Sequence, residues 1–280
     1  MSAHTKLSST RTIATFARYG TCSETLCNVV DRAFGHPLPV EEHASGPLAG
    51  GIMAHGYQCG QVWGAALAAG AEAYRALGPG PQAEAAAVVA ARRIVDAFRS
   101  LYHSIDCGEI TGVDMSGGSF TEVLRYFKNN GVRCFRMAAQ FAPVAFSQID
   151  LTVAEDLGEP PEPPVSCAAE VARNLGAADL HVVMASGLAG GVGLSGDACG
   201  ALATAVWILD MDVRRQGTGK AGFGNPRAAA LIDRFTDWSG SRFLCSEIAG
   251  RRFRDVADHA GYVRGGGCAE LIEMLAPAAA

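Results

Sequence analysis

Eight of the nine cysteines fall into two sets of four that follow one another in the same order: Cys22, Cys59, Cys107 and Cys134, then Cys167, Cys199, Cys245 and Cys268. Their flanks repeat too. Ala44-Ser45-Gly46-Pro47-Leu48-Ala49-Gly50-Gly51-Ile52 returns as Ala185-Ser186-Gly187-Leu188-Ala189-Gly190-Gly191-Val192. Cys107-Gly108-Glu109-Ile110-Thr111-Gly112 returns as Cys245-Ser246-Glu247-Ile248-Ala249-Gly250. Cys59-Gly60 and Cys199-Gly200 each open an Ala-rich stretch. A chain duplicated this way builds one fold twice. Two copies are too few for an open array, so the halves are expected to pack on each other as a pseudo-dimer.

Composition places the boundary where the repeat does. Pro160, Pro161, Pro163 and Pro164 lie just before Cys167 and cannot continue a helix. The predicted units are residues 1–157, a Pro-rich linker at 158–164, and residues 165–280. Apolar positions recur at helical spacing over Cys22–Phe34, Gly60–Leu77, Gln82–His103, Phe120–Lys128 and Cys134–Phe146. The second half offers Cys167–Leu175, Leu180–Met184, Cys199–Val213, Pro226–Trp238 and Gly267–Leu275. Alternating β-branched runs are nearly absent, so the predicted class is all-α. Ala and the 34 glycines point to closely packed helices rather than a core of large side chains.

The net charge of −5 and the lack of a basic, aromatic-rich block argue against a nucleic-acid surface. Met1–Thr21 has no apolar run of signal-peptide length. Val62–Ala71 and Ala201–Leu209 are too short for a membrane span. A cytoplasmic location is therefore expected. Disulfides rarely persist there, so ordered cysteines point to metal binding or redox work.

The cysteines are spaced 37, 48 and 27 residues apart in the first half and 32, 46 and 23 in the second. No C-x-x-C pair occurs, which excludes a thioredoxin-type motif, and no C-x-x-C-H occurs, which excludes covalent c-type haem. Any four-thiol site must be assembled by the fold. Cys22, Cys59, Cys167 and Cys199 stand at predicted helix starts, where the dipole lowers a thiol pKa. The competing reading is that these are small packing residues, as buried cysteines often are. Cys27, with Ala172 in the matching position, is read in that way.

Through Cys22, Ser45 to Gly51, Cys59-Gly60, Cys107 and Cys134, and again through Cys167, Ala185 to Gly191, Cys199-Gly200-Ala201, Cys245 and Cys268, the chain resembles the C-GCAxxG-C-C family of redox-active proteins. The resemblance covers nearly the whole chain. The family is related to the cluster-bearing part of split-Soret-type cytochromes, which implies iron–sulfur or other thiolate chemistry and electron transfer. All eight quartet cysteines would then be ligands. This chain differs in being a tandem duplication, in carrying Thr204 at the glycine position after the second cysteine of the second half, and in lacking the haem-binding part.

Other signals weigh less. Gly191-Val192-Gly193-Leu194-Ser195-Gly196 matches G-x-G-x-x-G, but the acidic residue of a dinucleotide site is missing. No Gly-Lys-Ser/Thr follows the glycines, so a P-loop is excluded. His55 is read as a loop residue, His43 and His181 as surface or packing residues, and Trp63 and Trp207 as core. Glu109 and Glu247, two residues after matching cysteines, are read as capping or ion-pairing groups. The expected function is electron transfer through cysteine-ligated iron–sulfur centres, alone, with a redox partner protein, or as an oxidoreductase or a component of one. The alternatives are a metal-free thiol–disulfide protein or sensor, and a helical assembly module.

Overall fold

The computed structural model describes residues 7–113, 120–217 and 219–276. Among them every regular element is helical: α1 Ser9–Tyr19, α2 Cys22–Phe34, α3 Pro39–Ala44, α4 Gly60–Leu77, α5 Pro81–Tyr102, α6 Cys107–Thr111, α7 Phe120–Val153, α8 Cys167–Asn174, α9 Asp179–Ser186, α10 Gly200–Gln216, α11 Pro226–Ser239, α12 Cys245–Ile248, α13 Val256–Arg264 and α14 Ala269–Leu275. The all-α expectation is met. None of these helices is long and apolar enough to cross a membrane.

Local chemistry sets the ends. Ser166 accepts a hydrogen bond from the Ala169 amide to start α8, and Asn225 accepts from Arg227 and Ala228 ahead of Pro226 to start α11. Gly35 and Gly240, in left-handed conformation, close α2 and α11. One expectation is overturned. Phe120–Lys128 and Cys134–Phe146 are not separate helices but parts of α7, which runs 34 residues through Gly131 and Pro143. Packing against α1, α2, α4 and α5 outweighs the two helix breakers. Leu180–Met184 belongs to a helix, so no strand precedes the G-x-G-x-x-G sequence.

The halves correspond element by element, with α2, α3 and α4 matched by α8, α9 and α10. Their contact is reciprocal: α9 lies on α4, and α3 lies on α10. Such an exchange is what a pseudo-twofold interface requires. Close approach depends on glycine, since a Cβ on Gly70 would stand 2.4 Å from the Met184 Cα. At the edge of this interface Glu41 accepts hydrogen bonds from Arg215 and pairs with His181, both at 3.0 Å, while Trp207 Nε1 donates to the Glu41 carbonyl at 3.1 Å. Burial opposes the Glu41 charge, but His181 and Arg215 hold its pKa below the ordinary range. One continuous apolar core runs through both halves, with Trp63 and Trp207 fully buried.

A candidate thiol centre in each half

Four backbone features gather the cysteines. The first is a helix start. Cys22 and Cys167 are the first residues of α2 and α8. The second is the Gly-rich loop, which forms a left-handed turn. Gly50, Gly51, Ile52, Met53 and Ala54 all have positive φ, between 48° and 74°, as do Gly190, Gly191, Val192, Gly193 and Leu194, between 57° and 81°. Each non-glycine residue in that region costs about 1–2 kcal/mol, and β-branched Ile52 and Val192 are outliers there. Internal hydrogen bonds hold the turn, among them Met53 N–H to the Pro47 carbonyl and Gly193 N–H to the Gly187 carbonyl. These partners show that Pro47 matches Gly187, one residue out of step with the Ser45–Ser186 match read from sequence. The turn aims the amides of Gly50 and Gly190 at the sulfurs of Cys22 and Cys167.

The third feature is a pair of isolated antiparallel bridges, Gln58 with Asp106 and Ala198 with Leu244. Cys59 N–H donates to the Ile105 carbonyl at 2.6 Å, and Cys107 N–H to the Tyr57 carbonyl at 2.6 Å. Cys199 N–H and Cys245 N–H do the same to Phe243 and Asp197, at 2.8 and 2.6 Å. The second and third cysteines of each half are thus clamped side by side. The fourth is placed differently. Cys134 lies within α7, where Gln61 Nε2 donates to its carbonyl and Tyr102 donates to the Met137 carbonyl. Cys268 caps α14.

Glycine makes room for sulfur. A Cβ on Gly60 would lie 2.5 Å from Cys22 Sγ. Gly64, the last glycine of the motif, lets α4 touch α2, since its Cβ would stand 2.0 Å from the Ser23 carbonyl oxygen. Thr204 occupies that position in the second half and donates to the Gly200 carbonyl at 2.9 Å. There α8 spans only eight residues and has less surface to seat against α10.

Within each quartet the thiols feel one another. The Cys59 thiol donates to Cys22 and holds its pKa below the ordinary thiol value; burial opposes, while the Gly50 amide and the first amides of α2 add to the lowering. Cys59 is pushed well up by the same bond, by burial, and by the charges of Cys22, Cys107 and Cys134. Burial, then Cys22 and Cys134, raises Cys107. In the second half Cys268 donates to Cys167, whose pKa falls well below the ordinary value against burial, with help from His259 and the Gly190 amide. Burial and the Cys167 charge push Cys199 up to about 12. Cys245 rises through burial and through Cys199 and Cys167. Cys268 rises through its bond to Cys167, then burial. In each half the first cysteine is the thiol whose ionisation the surroundings favour, while burial and that neighbour push Cys59 and Cys107, or Cys199, Cys245 and Cys268, the other way. Cys27 stands apart: burial and the nearby Asp31 and Glu42 hold it protonated.

The donor set suits a thiolate-bound group: four sulfurs in each half, seven of the eight buried and Cys134 half-buried. The thiols are paired rather than splayed. Among the described residues no three His, Cys, Asp or Glu side chains stand together in a way that could hold a metal ion. Binding one would replace the thiol–thiol hydrogen bonds by metal–sulfur bonds.

Three features were not read from sequence: the amides of the left-handed turns, Tyr102 beside Cys59 with its pKa pushed to about 12 by burial and then by that thiol, and His259 beside Cys167. The Asp255-x-x-Asp258 pattern that caps α13 signals the helix carrying His259. Of the weaker signals, His55 is a loop residue, with Nδ1 2.8 Å from the Ile52 carbonyl. His43 pairs with Glu24. Glu109 accepts from the Ser104 hydroxyl at 2.6 Å.

A family model described as "Putative redox-active protein (C_GCAxxG_C_C)" matches residues 20–146 and again residues 165–280. The chain belongs to this family. Two matches end to end make it a tandem member, and each matched range contains one cysteine quartet. No curated protein and no solved structure matches the chain.

Proposed function

We propose that this C-GCAxxG-C-C protein is an electron carrier in which each half holds an iron–sulfur centre. Cys22, Cys59, Cys107 and Cys134 would ligate one, and Cys167, Cys199, Cys245 and Cys268 the other. The observation that supports this most is that cysteines spread over about a hundred residues are brought within electrostatic reach of each other, in both halves, away from water. Thiolates are the common ligands of iron–sulfur clusters, and such a cluster supplies one-electron exchange. The chain's own residues prepare the place. The turns present amides to the first sulfur, the bridges fix the second and third, and the apolar helices exclude solvent, which sets the potential of such a centre. Electrons would pass to a redox partner protein, in the cytoplasm.

Anaerobic purification followed by iron, acid-labile sulfide and EPR measurements tests this. A brown protein with matched iron and sulfide that loses about half of each on Cys199→Ser is expected. A colourless protein with neither, after anaerobic reconstitution with iron and sulfide, would sink it.

A second reading has its own support. Cys22–Cys59 and Cys167–Cys268 are thiol pairs in hydrogen-bonding contact, each with one member whose pKa is lowered. Each pair could close to a disulfide, releasing two electrons and two protons to an oxidised partner. Counting free thiols with and without reductant separates the readings, because metal-free protein that loses thiols in twos on oxidation favours this one.

A further inference from the structure

Side chains of the first half brace the thiol centre of the second. Gln58 is fully buried, and its Nε2 donates to the carbonyls of Gly191 at 3.0 Å and Ala198 at 3.3 Å. Gly191 follows the residue whose amide faces the Cys167 sulfur, and Ala198 precedes Cys199. Arg99 Nη2 donates to the Asp197 carboxylate at 2.6 Å, and the Asp197 carbonyl holds the Cys245 N–H. Phe243, whose carbonyl holds the Cys199 N–H, stacks its ring on Tyr57 with centroids 4.8 Å apart. The left-handed turn itself rests on α5, where a Cβ on Gly193 would stand 2.4 Å from the Arg92 nitrogen.

The pseudo-twofold does not return these contacts. Ala198 is the bridge residue that matches Gln58, and its methyl group can donate nothing. Ile105, which matches Phe243 in holding the amide of the second cysteine, has no ring to stack. Gln58 also carries a cost. Its two carbonyl acceptors fix which end of the amide is nitrogen, and that leaves Oε1 buried without a partner. A half-satisfied buried amide is a poor stabiliser beside an apolar side chain of the same shape. Holding two carbonyls of the other half in place is what it does that an apolar side chain could not. Resting only on the second quartet being a thiol centre, whether it carries a cluster or closes a disulfide, we infer that this centre is a composite site. Gln58, Arg99 and Tyr57 of the first half are its positioning residues, although the backbone joins Gln58 to Cys59 of the first centre. The two centres then stand against each other: ordinary covalent lengths and the Gln58–Ala198 bond put the Cα atoms of Cys59 and Cys199 within about 15 Å.

The test uses the full chain, reduced and metal-free, so its answer does not depend on iron uptake. Amide hydrogen exchange read residue by residue by NMR, and iodoacetamide labelling of each cysteine read by mass spectrometry, are compared in wild type, Gln58→Leu and Arg99→Met. Leucine removes both donors at similar volume, and methionine keeps the apolar stem of arginine without its charge. Gln58→Leu should speed exchange of the Cys199 and Cys245 amides about tenfold or more, as loss of two hydrogen bonds closing a local unit would. Arg99→Met should speed exchange of the Cys245 amide. Labelling of Cys199 and Cys245 should quicken with it, while the Cys59 and Cys107 amides and thiols stay as in wild type. A variant that merely loosens the chain would speed both halves, or Cys59 first as the neighbour of Gln58, and either pattern overturns the assignment. Unchanged exchange at Cys199 and Cys245 in a folded variant overturns it too. Arg99 is partly exposed, so Arg99→Met decides alone if Gln58→Leu folds poorly.

Discussion

Cys22 and Cys167 meet the same backbone arrangement with different partners. Both receive the amide of a left-handed turn, but Cys22 pairs with the second cysteine of its half and Cys167 with the fourth. In reduced, metal-free protein, ultraviolet thiolate absorbance should therefore show one thiol per half ionising below the ordinary value of about 8.5. Cys268→Ala is expected to move the Cys167 ionisation to higher pH, since it removes the thiol that donates to the Cys167 sulfur. An unchanged titration curve would refute the pairing. Asp106 makes a separate pH prediction. Burial, then Asp197 and Glu109, raises its pKa to about 6 against the pull of Arg99, and its Oδ1 is buried without a partner. The folded state thus binds a proton more tightly than the unfolded chain, whose carboxyl titrates near 3.9. The stability that this proton supplies is full below about pH 4 and is lost as pH rises to about 6. Asp106→Asn removes that loss. Its melting temperature relative to wild type should rise between about pH 4 and pH 7, and a constant difference would show that the carboxyl is not strained.

Among the elements, the two left-handed turns carry the most stored strain and the least tolerance. At Gly51 an added Cβ would stand 2.1 Å from the Tyr57 nitrogen, and at Gly191 it would stand 2.5 Å from the Asp197 oxygen; φ is positive at both. Backbone cannot swing aside as a side-chain tip can. Gly51→Ala and Gly191→Ala combine overpacking of about 1–3 kcal/mol with a left-handed penalty of about 1–2 kcal/mol. Urea unfolding should show a loss of about 3 kcal/mol or more for each. Gly240→Ala, also at positive φ but with open space around it, isolates the second contribution and should cost about 1 kcal/mol. Similar losses at all three positions would mean that the turns are not tightly seated. The turns also explain the glycine-rich repeat. Its glycines are needed for a chain reversal that carries Cys59 and Cys199 to the bridges with Cys107 and Cys245.

For the whole molecule, the reciprocal packing of α9 on α4 and α3 on α10, over one shared core, makes the halves a single cooperative body. Scanning calorimetry of the metal-free chain should give one transition with matching calorimetric and van't Hoff enthalpies. Residues 165–276 expressed alone should fail to form a folded monomer, because the apolar faces of α9 and α10 would lose their cover. Two resolved transitions, or a stable separate half, would contradict this. Much of the plan was legible in the chain. Helical periodicity gave α2 and α4 to the residue, because caps and apolar spacing act over a few neighbours. The ordered repeat gave the two halves, because a duplicated pattern imposes a duplicated fold. Tertiary structure alone decided the rest. It fused two expected helices into α7 by packing that helix against four others, and it chose which sulfurs touch. It also set His259 beside Cys167 through a carbonyl and an aromatic ring that no spacing rule links to it. The sequence determined what each segment prefers by itself, whereas contacts between distant segments depend on how the faces fit, and that is settled only when they pack.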